Sequence, residues 1–149
     1  MIFKGINNQS IELNIINYEF PDYIDELYVQ FDSNWLIVNI KVLSNFGIWE
    51  ATEPALLTTD FQQMINWFDN LSKNNEPNTT ELIFTEPLFL LFLENSHNDM
   101  IKKIRIQFEA EFKLKGYDQD CFIEIHANNE ELSRISNELR KELSKFPTR

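Results

Sequence analysis

Few residues in this chain could do covalent chemistry. Its 149 residues include two histidines, His97 and His126, and a single cysteine, Cys121. Cys121 and His126 come nearest to a thiol–base pair. Their odd spacing on one strand places them on opposite faces, so they point apart and a buried structural thiol is expected. Ser96-His97-Asn98-Asp99 gathers the residue types of a hydrolytic triad. Triads are assembled across a fold rather than from one tetrapeptide, so an exposed turn is expected. Glu109 and Glu111 are paired carboxylates that could serve acid–base work, but the solvated face of a strand accounts for them. Neither zinc-type nor EF-hand spacing occurs. With glycine only at Gly5, Gly47 and Gly116, no phosphate-cradling motif can form. The reading is a protein that is not an enzyme, with no catalytic residue, no metal site and no cofactor.

Charge is more informative. Against 13 Lys and Arg stand 24 Asp and Glu, a formal net charge of −11. Such a surface disfavours nucleic acid and anionic membranes and suits a basic protein partner. Part of the excess lies in Pro21–Ser33, read as a loop with a helical turn. There Asp22, Asp25, Glu26 and Asp32 interleave with Tyr23 and Tyr28. Acids steer a basic surface while aromatic rings anchor it. Asp22, Tyr23, Asp25, Glu26, Tyr28 and Asp32 are therefore the predicted partner-binding residues. The bland duty of the same segment is a solubilising loop.

The remaining elements form the scaffold. The length suits one domain over residues 1–149. Thirteen Phe and three Trp exclude a disordered chain. Ser10–Phe20 alternates as a strand whose apolar phase switches at Ile15-Ile16, as a β-bulge would make it do. Trp35–Leu43 and Ile48–Thr52 read as a hairpin about Ser44-Asn45-Phe46-Gly47. Thr58–Lys73 reads as a helix burying Phe61, Met64, Ile65 and Phe68, with Thr59 and Gln62 as a capping box. Glu81–Phe84, Leu88–Leu93, Lys103–Phe112 and a last strand marked by Cys121, Ile123 and Ile125 follow. In Lys103–Phe112 the residues Ile104, Ile106, Phe108, Ala110 and Phe112 face inward. A final helix is capped at Asn128 or Asn129, stabilised by a Glu130–Arg134 pair, and buries Leu132, Ile135, Leu139, Leu143 and Phe146. The fold class is α+β: mainly antiparallel sheet of about seven strands, a mid-chain helix and a C-terminal helix.

No window carries the ~18 apolar residues of a membrane span, and the opening residues lack the apolar run of a secretory signal. A cytoplasmic protein is expected. The glycosylation-like triplets at Asn8, Asn70 and Asn78 are then chance products of an Asn-rich chain.

Several phrases in order carry a resemblance. Asp32-Ser33-Asn34-Trp35-Leu36 enters a strand, and Trp49-Glu50-Ala51 leads to Pro54-Ala55-Leu56-Leu57-Thr58 and a helix with Trp67-Phe68. Phe84-Thr85-Glu86-Pro87 precedes an apolar strand. Phe108-Glu109-Ala110-Glu111-Phe112 follows, and the final helix ends in Phe146-Pro147-Thr148-Arg149. This set resembles the WapI-type immunity proteins, from about Ser10 to Arg149. Lys113-Leu114-Lys115-Gly116-Tyr117 stands where members tend to carry a Pro/Trp-rich stretch. The resemblance implies a small bacterial cytoplasmic protein that protects its producer from a wall-associated, contact-dependent polymorphic toxin. Its partner would be the cognate toxin domain, a nuclease on one reading. The resemblance supplies no binding site. The alternative is a non-catalytic α+β domain holding a small apolar ligand or metabolite between sheet and helices.

Overall fold

The computed structural model describes residues 1–21 and 32–149. Eight strands and two helices lie in the described residues. Strands β1 (Ile2–Lys4), β2 (Ser10–Tyr18), β3 (Trp35–Ser44) and β4 (Gly47–Leu57) form one antiparallel sheet in that order. Helix α1 (Thr58–Ser72) follows directly. Strands β5 (Glu81–Ile83), β6 (Phe89–Leu93), β7 (Lys102–Phe108) and β8 (Cys121–Ala127) form a second antiparallel sheet, again in chain order. Helix α2 (Asn129–Leu143) comes last. The fold is α+β and mostly sheet, as the sequence implies. The strand beyond the seven expected is β1, only three residues long.

Alternation builds both sheets. In the first, Ile11, Leu13, Ile15, Val38, Ile40 and Val42 are buried while Lys41 and Glu50 face out. Tyr18 pairs with Leu36 after a register shift between Ile15 and Asn17, so the bulge lies where the apolar phase switches. In the second sheet Leu91, Ile104, Ile106, Ile123 and Ile125 are buried. One apolar cluster joins both sheets to both helices. Phe3 of β1 meets Phe68 of α1 at 5.9 Å, and Trp49 of β4 meets Phe108 of β7 edge-on at 5.3 Å.

Four expectations are corrected. Helix α1 starts at Thr58 as expected, but its N-cap is Leu57, two residues before Thr59: the Leu57 N–H donates to Asp60 Oδ2 at 2.9 Å, so Asp60 rather than Gln62 closes the first turn. Strand β4 runs through Pro54 to Leu57, because β4 is an edge strand and tolerates a residue with no N–H to give. Strand β7 ends at Phe108, and Ala110 is exposed at φ 44°. The chain turns there because Phe112 buries its ring against Phe89 and its carbonyl accepts the Trp49 indole N–H at 2.9 Å. On α2, capped by Asn128, Arg134 bonds Glu131 and Glu138 in place of the expected Glu130.

Candidate functional site

The acidic segment is the strongest sequence candidate. Asp22, Tyr23, Asp25, Glu26 and Tyr28 lie outside the described residues, and Asp32 opens a 3-10 turn over Asp32–Asn34. Both roots of the segment are described, and the last four residues of the sequence hold them. Asn34, buried, is the hub. Its Oδ1 accepts the Arg149 N–H at 2.8 Å and the Thr58 hydroxyl at 3.2 Å, and its Nδ2 donates to the Arg149 carbonyl at 3.1 Å. Thr148 donates its hydroxyl to Thr58 at 3.1 Å. On the other root, Arg149 Nη1 donates to the carbonyls of Phe20 and Pro21 at 3.3 and 3.1 Å. Its guanidinium lies 3.6 Å from the centre of the Tyr18 ring. The Tyr18 hydroxyl donates to the Pro147 carbonyl, and Phe146 packs edge-on against the Tyr18 ring.

Beside these roots is a depression of about 350 Å³ lined by Glu19, Phe20, Trp35, Pro54 and Glu86. Two carboxylates thus rim two aromatic rings at the place where the acidic segment leaves and rejoins the fold. Thr85, next to Glu86, donates to Asp60 Oδ1 at 3.3 Å, which ties the Phe84–Pro87 turn to the start of α1.

The other candidates separate. Cys121 is buried and His126 is exposed, on opposite faces of β8. Burial pushes the Cys121 thiol up, the opposite of the shift that activates a thiol nucleophile. His126 contacts Glu124 at 2.6 Å. Ser96 N–H donates to Asp99 Oδ2 and Asn98 N–H to Ser96 Oγ, both at 3.2 Å, so these side chains close the turn expected there. Glu109 and Glu111 do not share a strand face, because Glu111 falls in the 3-10 turn after β7. No group of three or more metal-ligating side chains occurs among the described residues. Where the alternative reading would hold an apolar ligand, the core contains the closely buried rings of Phe3, Phe61, Phe68, Phe108 and Phe112.

Sequence reasoning missed Glu19, Asn34, Pro54, Glu86 and Arg149 as parts of this end of the molecule. The signal was present as four phrases of the resemblance: Asp32–Leu36, Pro54–Thr58, Phe84–Pro87 and Phe146–Arg149. They are far apart in sequence and meet here.

A family model described as the Immunity protein WapI-like family matches residues 1–147. The chain belongs to this family. No curated protein and no solved structure matches it. Membership in the WapI-like immunity family gives the clamped acidic end a context, since an immunity protein acts on a toxin protein. Among the described residues no helix is long and apolar enough to cross a membrane.

Proposed function

We propose that this protein binds and neutralises the C-terminal domain of a cognate polymorphic toxin in the cytoplasm of the producing cell, by stoichiometric association and without catalysis. The observation that carries the site is the acidic segment 22–32, whose two described roots are held by hydrogen bonds to Arg149 and flanked by Glu19 and Glu86. A toxin that attacks nucleic acid needs a basic cleft. An acidic inhibitor fills such a cleft as a nucleic-acid mimic, and charge speeds its association.

The function is tested by growth. Co-expression with the C-terminal domain of a toxin encoded beside this chain is expected to relieve growth arrest; arrest that persists with both proteins folded overturns the function. The site is tested separately by changing Asp22, Asp25 and Glu26 together to Lys. Affinity for that toxin domain should fall about 100-fold, mostly through the association rate. An unchanged affinity with an unchanged salt dependence overturns the site while leaving the function standing.

A further inference from the structure

Sheet edges present unpaired main-chain donors and acceptors, and folded proteins blunt or cover them. This molecule treats its edges unequally. On β1, Ile2 gives its N–H to Glu138 Oε2 at 3.3 Å and its carbonyl accepts Arg134 at 2.8 Å, so α2 plugs that edge. Beyond the end of β1 the Ile15 N–H is taken by Glu142 Oε1 at 3.1 Å. The β5 edge is three residues long. Gly5 lies so close to β8 that a side-chain carbon there would sit 2.5 Å from Ile123 and 3.2 Å from the Glu124 carbonyl. Strand β4, at eleven residues, is the long edge.

Which β4 groups face outward follows from the ladder. Met1 and Leu13 exchange both main-chain bonds, at 2.8 and 2.9 Å. Counting across the registers, Glu12 then points to Lys41, Val42 to Trp49 and Ile40 to Ala51. The N–H and carbonyl groups of Ile48, Glu50 and Thr52 are left pointing away from β3, and Pro54 falls at the next outward position. No main-chain or side-chain partner takes those groups among the described residues. Alongside runs a groove of about 440 Å³, walled by β4 from Trp49 to Glu53 and by Glu111, Lys113, Leu114 and Lys115. Its lining holds three carboxylates, Glu50, Glu53 and Glu111, against two ammonium groups. At the far end, Pro54 belongs to the depression beside the acidic segment.

We propose that β4 is a docking edge: an extended, basic segment of the toxin protein adds to the first sheet as a fifth strand, antiparallel or parallel to β4, in the groove beside it. The free ladder positions specify an extended chain. Alternation specifies its side chains. Residues on the outer face meet Ile48, Glu50 and Thr52, and residues on the inner face meet Trp49, Ala51 and Glu53, so each face offers apolar surface and one carboxylate to a chain of mixed cationic and apolar residues. This deepens the proposed function by naming what the partner contributes next to the acidic end, and rests on that reading for the identity of the partner alone.

The test needs no toxin. The probe is a capped nine-residue peptide, Lys-Val-Lys-Val-Thr-Val-Lys-Val-Lys, with its Glu-for-Lys counterpart, titrated to millimolar concentration into the intact isotope-labelled protein. The basic peptide should shift and protect from exchange the amides of Ile48, Glu50 and Thr52; the acidic one should bind about tenfold more weakly. Thr52→Pro removes one outward N–H and should weaken the basic peptide about tenfold. Should that variant lose its fold, Glu50→Lys combined with Glu111→Lys decides in its place, with a loss of at least the same size expected. Absence of shifts on β4, or shifts confined to another surface, overturns the proposal. So does sedimentation showing a dimer that Thr52→Pro dissolves, since a second copy would then own the edge. A failed growth rescue with an intact peptide response would instead reject the toxin reading and leave the docking edge in place.

Discussion

Asn34 touches three separate stretches of chain: its own turn, Thr58 at the start of α1, and Arg149. A buried amide whose partners lose it leaves them unsatisfied, which costs more than the bonds themselves contribute net. Asn34→Ala should lower the unfolding free energy by about 2 kcal/mol in denaturant titration. Asn34→Asp keeps the acceptor for the Arg149 N–H and for Thr58 but sets a buried carboxylate oxygen against the Arg149 oxygen where Nδ2 donated, and should lose at least as much. If the acidic segment binds the toxin, Asn34→Ala should also weaken binding beyond its effect on the folded fraction, because its root is no longer held. Phe112 makes the opposite case, a purely apolar anchor. Fully buried and stacked on Phe89 at 6.0 Å, it should cost about 3–5 kcal/mol when truncated to Ala.

Helix α2 is bound to its surroundings by charge as well as by its apolar stripe. Arg134 lies between Glu131 and Glu138, each at 2.6 Å, and donates to the Ile2 carbonyl. The hydrogen bond from Arg134 holds the Glu131 carboxyl below the usual range. For Glu138 partial burial pulls upward, but Arg134 and the Ile2 N–H outweigh it and the net direction is also down. Asp69 of α1 behaves likewise: burial opposes, while Ser136 and Arg140 of α2 lower it. Carboxyls lowered in the folded state contribute stability above their unfolded pKa of about 4 and lose it as pH falls through the folded value. The melting temperature should therefore drop on acidification below about pH 4, and Arg134→Met should flatten that drop. A thermal melt series across pH checks both.

At this same scale the legibility of the sequence is uneven for physical reasons. The bulge at Ile15–Asn17 was readable because a two-residue period records its own interruption. The faces of α1 and α2 were readable because 3.6-residue spacing survives in Phe61, Met64, Ile65, Phe68 and in Leu132, Ile135, Leu139. Strand β1 was not, because three residues carry no period. The alternation ends the return strand at Thr52, whereas β4 continues through Pro54 because an edge strand tolerates a missing N–H. Ala110 fitted the inward pattern by type alone; its exposure follows from the pull of Phe89 and Trp49 on Phe112, a long-range cause. The candidate site was half legible. Its acids stand out as a charge run, whereas the residues that root them are joined by bonds such as Asn34–Arg149, which span most of the chain.

For the molecule as a whole, the net charge of −11 sets the terms of encounter. Steered association is an ionic-strength effect, so the association rate with a basic toxin domain should fall about 10-fold or more from low salt to 0.5 M, with a smaller change in dissociation. Stopped-flow mixing at several salt concentrations separates the two. A flat association rate would place the charge in the role of solubility.

The clamp formed by Phe146, Pro147, Thr148 and Arg149 also has a meaning in time. A ribosome delivers the acidic segment 115 residues or so ahead of its fastener. Until residues 146–149 have emerged, the roots at Phe20–Pro21 and Asn34 lack their partners, whatever the sheets have already done. On the proposed function, a chain truncated before residue 146 is a poor antidote, because both roots of the acidic segment lose these bonds.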